Sequence, residues 1–406
     1  MSCGRIKIIH IAEAFSGGVK TYLCGVLPEL VERGFDVTLV CSLKRAEPDG
    51  QKCTAELRDK GVVVHVMEMA HEIRPLRDMS AVFLLWRLLL RTNFSVVHTH
   101  CSKAGALGRV AAVLAGSRVI VHSPHCLAFL RCRGRLRRFL FLLCERLLGR
   151  FTTRLIAVSR YEAAVAVRMG IVSGDRCAHV SNGLAYSGSF EEGTAMAIGV
   201  PEDYAVVTCV CRLVEYKGVF RFLEAARLSR SPQAVFVISG DGPLRKAAEQ
   251  FVIEHKLGSR VRLLGYVPDI ERLYAISNLV VLCSDAEGQP YVILEAMRAG
   301  CAVVATKAAG NTELIADGKT GRLAEPNAAS VASAIDEMLG DKQKRERYAE
   351  NALTYVKSHH RLEDQVSKLV EIYANCISIG QGNHAKERAM HRKTRRKRSF
   401  AGQNSL

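Results

Sequence analysis

Residues 287–300 read EGQPYVILEAMRAG, and they follow an apolar run, NLVVLC, at residues 278–283. The run has the length and composition of a buried parallel strand, and the glycine and proline behind it indicate a loop that leads into a helix. Glu287 would lie in that loop and Glu295 about a turn into the helix. Both carboxylates are therefore expected at the carboxyl end of a parallel strand, where open α/β sheets bind their ligands.

Apolar runs of strand length alternate with helical stretches along the whole chain. This alternation predicts βαβ units and parallel sheets. We expect strands at residues 6–11, 36–41, 62–67, 95–99, 118–122, 154–157, 179–180, 205–211, 234–239, 261–264, 279–283 and 302–305. The predicted fold class is α/β, with two doubly wound, Rossmann-like domains that face each other across a cleft.

A change of composition interrupts this pattern near residue 183, where Gly, Ser and Glu become frequent. Such a segment is typical of a linker between domains. The C-terminal tail lacks an apolar face and is expected to be disordered. We divide the chain into an N-terminal domain at residues 1–182, a linker at 183–202, a C-terminal domain at 203–357, a helix at 358–379 and the basic tail at 380–406.

The formal net charge of +17 favours an anionic partner such as a nucleotide, a phospholipid surface or a nucleic acid. Eight Lys or Arg residues and one acidic residue lie in residues 381–406, so part of this charge belongs to the tail. The tail contains a single aromatic residue. We therefore expect opportunistic contact with polyanions and no specific recognition of nucleic acid.

The 14 cysteines include no C-x2-C pair and lie mainly in apolar runs, which favours a reducing cytosol over a disulfide framework. The apolar stretches at 82–86 and 139–143 are too short to span a bilayer. Arginine-rich residues 131–138, with the Leu- and Phe-rich residues 139–148, are typical of a basic amphipathic element on a membrane surface, and residues 76–91 are comparable. The alternative is a domain helix with a buried apolar face. We expect a cytoplasmic protein, soluble or peripheral at the cytoplasmic membrane face.

Two loops carry residues suited to a diphosphate. The loop EAFSGGVKTY at residues 13–22 follows the first strand, and Gly17 and Gly18 leave room for a phosphate at a helix start. The segment VCRLVEYKG places Arg212 and Lys217 behind another strand, where a guanidinium and an ammonium can bind phosphate oxygens. Taken alone, the first loop is an ordinary turn and the second a solvated basic loop.

Together these motifs resemble a known family. Glu287 and Glu295 with their Gly/Pro loop resemble the E-x7-E element of retaining GT-B-fold glycosyltransferases of family 4, and the R-x4-K-G pattern that starts at Arg212 is similar to that family's diphosphate clamp. The resemblance extends from Ile6 to about Ser358. It implies transfer of a hexose-type sugar from a nucleotide diphosphate sugar to a hydroxyl of a glycan or lipid-linked saccharide, with retention, in polysaccharide biosynthesis. It also implies that the N-terminal domain at residues 1–182 binds the acceptor and that the C-terminal domain at 203–357 binds the nucleotide sugar. The last helix would cross back onto the N-terminal domain.

The resemblance assigns roles to single residues. Arg212 and Lys217 would bind the diphosphate, which carries growing charge as the glycosidic bond breaks. Glu295 would bind the ribose hydroxyls and Glu287 the donor sugar, while His125 would reach a sugar hydroxyl from across the cleft. The implied catalytic residues are Glu287, Arg212, Lys217 and His125, and the implied donor-binding residues are Gly17, Gly18, Arg212, Lys217, Gly240, Gly242, Gly288, Gln289 and Glu295.

The histidine segments depart from the family in one place. The family usually has His-Gly where this chain has His125-Cys126, so the close backbone approach of that loop depends on how the cysteine is accommodated. His98 and His100 are similar to the family's H-x-H segment at another strand end. Direct ligand contact by either of these two histidines is a weaker expectation than contact by His125.

We expect no bound metal and no cofactor, because no D-x-D motif lies at a strand end and the family's clamp is metal-independent. The nucleotide sugar is a co-substrate, and a UDP-sugar is the commonest in the family. Two alternatives stay open: a sugar-nucleotide epimerase of the same architecture, and a non-catalytic protein that binds a nucleotide sugar or a polyanion.

Overall fold

The computed structural model describes residues 5–70, 72–132, 134–185, 195–201 and 203–380. The N-terminal sheet has seven parallel strands in the order β3-β2-β1-β4-β5-β6-β7. The strands are β1 (Lys7–Ala12), β2 (Asp36–Cys41), β3 (Val63–Val66), β4 (Val96–His100), β5 (Ile120–Ser123), β6 (Arg154–Ala157) and β7 (Cys177–His179). The strand order reverses between β1 and β4, so the loops behind these two strands diverge and leave a crevice at the carboxyl edge.

The C-terminal sheet repeats this arrangement with six parallel strands in the order β10-β9-β8-β11-β12-β13. Its strands are β8 (Ala205–Val210), β9 (Ala234–Ser239), β10 (Val261–Gly265), β11 (Leu279–Leu282), β12 (Ala302–Thr306) and β13 (Arg322–Ala324). The order reverses between β8 and β11. The two loops with the predicted diphosphate and sugar ligands follow these two strands.

Helices cover both faces of each sheet. They are α1 (Gly17–Glu32), α2 (Gly50–Asp59), α3 (Pro75–Arg91), α4 (Ser102–Leu114), α5 (Ala128–Arg131), α6 (Arg135–Gly149), α7 (Arg160–Arg168), α8 (Val219–Leu228), α9 (Arg245–Glu254), α10 (Ile270–Ala275), α11 (Tyr291–Arg298), α12 (Ala309–Leu314), α13 (Ala328–Gly340), α14 (Lys342–His359) and α15 over 362–380. The central strands are buried on both faces, which is why they read as continuous apolar runs.

Helix α15 packs on the N-terminal domain although it follows the C-terminal one. Val366, Leu369 and Tyr373 lie in the same buried cluster as Ile8 and Leu23. Each fully buried side chain of this size removes enough apolar surface from water to contribute about 1.5–3 kcal/mol. The chain therefore crosses between the domains twice, and the second crossing is held by a hydrophobic core.

The predicted α/β class with two doubly wound sheets is confirmed. The twelve predicted strands are all present, with ends that differ by a few residues. The strand β13 was missed, because three residues that begin with an arginine give no apolar run. Residues 186–194 and 202 of the predicted linker, and residues 381–406 of the predicted tail, lie outside the described residues. Within the described chain, no helix is both long and apolar enough to cross a membrane.

Candidate active site

The loops behind β8 and β11 meet through an ion pair. Lys217 ends a 3-10 helix at Glu215–Lys217, and its Nζ lies 2.5 Å from Oε1 of Glu287. Burial alone would lower the pKa of Lys217, but Glu287 and Tyr216 outweigh it and raise the pKa. Gly218 makes the approach possible, since it has a φ of +69° and a Cβ there would lie 2.0 Å from the Cys283 carbonyl oxygen. The structure thus brings together two of the predicted site residues.

The loop behind β11 also touches the N-terminal domain. A Cβ at Gly288 would lie 3.0 Å from the Cys126 backbone nitrogen and 3.3 Å from the His125 carbonyl carbon. Glu287 and His125 are therefore brought to the same place from different domains. Predicted donor contacts on both sides of the cleft converge here.

The loop at His125-Cys126 keeps the conformation that a glycine would favour. The φ angles are +51° at His125 and +90° at Cys126, a region that costs a residue with a side chain roughly 1–2 kcal/mol. The buried carboxylate of Glu162 holds the loop: its Oε1 accepts the Cys126 N–H at 2.7 Å and its Oε2 the Val158 N–H at 3.0 Å. The cysteine is thus accommodated by strained backbone, and the loop still approaches Gly288 closely.

Arginines from both domains surround this point. The Arg131 guanidinium lies 5.2 Å above the Tyr216 ring and donates to the Tyr216 hydroxyl at 3.4 Å. Arg45 pairs with the buried Glu13 at 3.2 Å. The exposed Arg212 lies within electrostatic range of both arginines. Arg131 was assigned to the membrane-surface element by its neighbours in sequence, and the structure places it at the cleft instead.

The glycine loop is occupied by acidic side chains. The Gly17 N–H donates to Oε1 of Glu47 at 2.9 Å, and Gly18 lies against the Tyr291 ring. Lys20 is paired with Glu47 and Asp49, and it donates to the Tyr266 hydroxyl of the other domain at 3.1 Å. A phosphate at the Gly17 amide would have to displace Glu47.

Gly240 and Gly242 support the loop that carries Arg212 from behind. The Gly240 N–H donates to the Gly265 carbonyl at 2.7 Å. Between the two glycines, the Asp241 carbonyl accepts the Leu213 N–H at 3.0 Å. These backbone bonds set the position of Arg212, and donor contact by the two glycines stays a prediction.

The second glutamate of the E-x7-E element faces a different space. Glu295 accepts a hydrogen bond from the Tyr274 hydroxyl at 3.0 Å, and it lines a cavity of about 190 Å³ with Thr21 and Arg298. Burial raises the pKa of Glu295, which the Tyr274 hydrogen bond opposes. The cavity lies between the helices α1 and α11, one from each domain.

Gln289 is engaged in the protein itself. Its Oε1 accepts the Asn182 N–H at 2.5 Å, and its backbone carbonyl accepts from the Asn182 side-chain amide at 2.9 Å. The side chain is buried. A donor contact by Gln289 stays a prediction, and the contact that is seen joins the site loop to the first crossing between the domains.

A cluster of buried histidines lies at the switch point of the N-terminal sheet. Among the described residues, His10, His98 and His100 are the one set of His, Cys, Asp or Glu side chains close enough to hold a metal ion. Hydrogen bonds engage both ring nitrogens of His98, which contacts Ser123 Oγ at 2.9 Å and the Tyr373 hydroxyl at 2.6 Å. Burial lowers the pKa of all three imidazoles, so they are neutral near pH 7.

Sequence reasoning missed His10, Glu162 and the cleft position of Arg131. A signal existed for two of them. His10 is a polar residue inside the apolar first strand, and Ser159-x-x-Glu162 has the spacing of a helix capping box. The helix does start there, with the Glu162 N–H bonded to Ser159 Oγ at 3.1 Å. The Glu162 carboxylate, however, accepts hydrogen bonds from the N–H groups of Val158, the residue before Ser159, and of Cys126 in a distant loop. The local sequence pattern does not indicate these contacts.

Two facing switch points, with cations on one side and a histidine loop on the other, define a cleft that suits an anionic ligand. Comparison with known proteins agrees. Residues 194–355 match the family Glycosyl transferases group 1, and residues 17–183 match the Glycosyl transferase 4-like domain. The chain belongs to the group 1 glycosyltransferases and has the GT-B fold. It is a glycosyltransferase that uses a nucleotide sugar.

Individual relatives match nearly the whole chain. An Escherichia coli enzyme, UDP-Gal:alpha-D-GlcNAc-diphosphoundecaprenol alpha-1,3-galactosyltransferase, is 28% identical over 92% of this chain and 98% of its own length. The structure resembles that of Anabaena HepE in complex with UDP and glucose, with a TM-score of 0.77 and 22% identity over 91% of this chain and 100% of that one. Sucrose-phosphate synthase from Thermosynechococcus elongatus has a TM-score of 0.76, at 19% identity over 92% and 100%. The two structural likenesses concern the fold.

The strain at Cys126 predicts an unusual tolerance of glycine. In Cys126→Gly, relief of about 1–2 kcal/mol of left-handed strain should offset the lost burial of the thiol. Cys41→Gly is the matched control, because Cys41 is equally buried in the regular strand β2. Urea unfolding should show that the control loses about 1–2 kcal/mol more stability than Cys126→Gly. Equal losses would show that the backbone at Cys126 is not strained.

The buried carboxylate of Glu162 predicts a pH dependence of stability. Burial raises the pKa of Glu162 to about 6 from an ordinary value of 4.5. The folded protein therefore binds this proton more tightly than the unfolded chain, and the resulting stabilisation is lost as pH rises from 4.5 through 6. The Gln amide of Glu162→Gln does not titrate. Relative to this variant, the free energy of unfolding of the unaltered protein should fall by about 2 kcal/mol across that pH window. Parallel pH profiles in urea unfolding would contradict this.

Proposed function

We propose that the protein transfers a hexose-type sugar from a UDP-sugar to a hydroxyl of a lipid-linked or glycan acceptor, with retention and without a bound metal. The observation that carries the proposal is the convergence of Lys217, Glu287 and His125 at two facing switch points. The relation to a galactosyltransferase whose acceptor is a diphosphoundecaprenol-linked sugar supports the lipid-linked acceptor.

The Lys217–Glu287 pair suggests how the donor enters. A diphosphate carries more charge than one carboxylate, so it competes well for the half-buried ammonium of Lys217. Glu287 is then released to accept hydrogen bonds from the donor sugar. Arg212 and Arg131 lie close enough to share the charge that grows on the diphosphate as the glycosidic bond breaks.

The transfer itself follows a front-face substitution in this proposal. The bond from the anomeric carbon to the diphosphate oxygen breaks, and the acceptor oxygen bonds the same face of that carbon. The acceptor proton passes to the departing phosphate oxygen, so the products are the glycosylated acceptor and UDP. The cations act on the leaving group, and no protein carboxylate has to serve as the nucleophile.

A peripheral membrane position is a further part of the proposal. Helix α6 exposes an apolar stripe of Leu136, Leu140, Leu143 and Leu147 at helical spacing, beside the exposed Arg137. Helix α3 likewise exposes apolar side chains on the same domain, and both helices pack on α4. Outward apolar stripes flanked by arginine fit the surface of an anionic bilayer that would carry a lipid-linked acceptor.

Nucleotide binding and one variant test the donor assignment. Calorimetry with UDP, GDP and ADP should show micromolar binding of UDP that is unchanged by magnesium or a chelator. Lys217→Ala should weaken it by about tenfold or more and lower transfer by roughly 10²–10³, because a fixed cation at the leaving group is lost. Lys344→Ala, which removes a similar pair with Glu337 outside the cleft, is the control.

The outcomes separate the alternatives. Preference for GDP or ADP would overturn the UDP assignment, and full activity of Lys217→Ala would remove this residue from the site. Binding of no nucleotide would favour a polyanion-binding protein. With UDP-galactose and a diphosphate-linked lipid saccharide, an α-linked product would establish retention, while a free epimerised sugar nucleotide would favour the epimerase.

Sedimentation with phosphatidylglycerol vesicles tests the membrane position. The protein should sediment at low salt, and Leu136→Ser with Leu140→Ser should reduce binding by about tenfold, because two inserted apolar side chains are lost. Ile253→Ser, at an equally exposed apolar residue of the other domain, should leave binding unchanged. Equal binding of all three proteins would exclude the stripe on α6 as the membrane contact.

A further inference from the structure

Three imidazoles form a continuous hydrogen-bonded chain from the core of the N-terminal domain to the cleft. Nδ1 of His10 lies 2.9 Å from Nε2 of His100, and Nδ1 of His100 lies 3.0 Å from Nε2 of His125. His10 belongs to β1 and His100 to β4, the two strands at the switch point. The rings of His10 and His100 are nearly parallel, as are those of His100 and His125.

The chain permits only two arrangements of protons. Burial lowers the pKa of His10 to about 3 and that of His125 to about 4, and it lowers the pKa of His100 as well. All three rings are therefore neutral near pH 7, with one N–H each. Each contact needs one protonated and one bare nitrogen. Either all three rings carry the proton on Nδ1, or all three carry it on Nε2.

The inner end of the chain distinguishes the two arrangements. Nε2 of His10 is buried without a hydrogen-bond partner in the described protein. In the second arrangement this atom would be a buried N–H without an acceptor, which is rare and costly in proteins. In the first arrangement it is a bare aromatic nitrogen. The first arrangement is thus favoured throughout the chain.

We propose that His10 and His100 are positioning residues that keep the proton of His125 on Nδ1, so that the ring offers a hydrogen-bond donor to an oxygen of the donor sugar or its phosphate. The inference rests on the proposed function in so far as His125 faces the donor. His125 is half-buried, its Nε2 is engaged by His100, and no described residue bonds its Nδ1. A neutral, oriented donor can strengthen its bond as charge moves onto the ligand oxygen.

Nitrogen NMR of the whole protein tests this directly. With ¹⁵N-histidine labelling, protonated and bare ring nitrogens resonate far apart, and loss of one signal set in His125→Gln assigns that ring. The ring nitrogens of His10, His100 and His125 should all show the proton on Nδ1 at pH 8. A proton on Nε2 of His125 in the unaltered protein would by itself overturn the proposal.

Two variants of equal size test the role of His10. In His10→Asn the side-chain amide can still donate to Nε2 of His100, so His125 should keep its proton on Nδ1. In His10→Asp the carboxylate can only accept a hydrogen bond at pH 8. This should reverse the direction of both hydrogen bonds and move the His125 proton to Nε2. An unchanged His125 in both variants would overturn the proposal, as would a change in both.

The control and the kinetic readout separate this inference from the proposed function. His98→Leu removes an equally buried ring that is not part of the three-histidine chain, so it should leave the His125 proton on Nδ1. Transfer by His10→Asp should have a kcat about tenfold below that of His10→Asn, as expected for one lost hydrogen bond. If the protein transfers no sugar, the NMR result still decides the proton position. If the protein transfers sugar and the His125 proton stays in place in both His10 variants, the role of the three-histidine chain is refuted and the proposed function is not.

Discussion

The contact between Gly288 and the backbone at His125-Cys126 is the constraint on which the cleft depends. A side chain would be crowded where the loop behind β11 lies against the N-terminal domain, because a Cβ would meet the Cys126 nitrogen at 3.0 Å. This contact fixes the distance between the two switch points. Glu287 and His125 can therefore share one ligand, although they belong to different sheets.

Two cations of the cleft are paired with acidic side chains. Lys217 is held by Glu287 and Arg45 by Glu13. A half-buried cation without a partner is unfavourable, so these acids stabilise the cleft. A ligand group can displace one of these carboxylates from its cation only if the group carries more negative charge than a single carboxylate. A diphosphate meets this condition, and a neutral sugar does not, which makes the phosphates the natural first contact.

The fold could be predicted from the sequence, whereas the site could be predicted only in part. Buried parallel strands are continuous apolar runs, so twelve strands could be found, whereas β13, a three-residue strand that begins with an arginine, could not. The loop residues Arg212, Lys217 and Glu287 follow such strands directly, and their position at the carboxyl edge follows from that. Contacts between distant segments leave no local pattern.

Arg131 illustrates this limit. It stands in a run of arginines that continues into an amphipathic helix, yet helix α5 ends at this residue and turns its guanidinium toward Tyr216 of the other domain. The carboxylate of Glu162 likewise bonds a loop 36 residues away. In both cases the partner is chosen by tertiary packing, which a single sequence does not encode at short range.

The site is also tied to the hinge between the domains. Both crossings of the chain meet there: a β-bridge joins Leu184 to Arg361, and Nδ1 of His360 lies 2.8 Å from the Asn182 carbonyl oxygen. Gln289, two residues after Glu287, is bonded to Asn182 in turn. A rotation about the crossings must therefore move the Glu287 loop relative to the His125 loop. The close approach of Gly288 to the His125 loop would change with such a rotation.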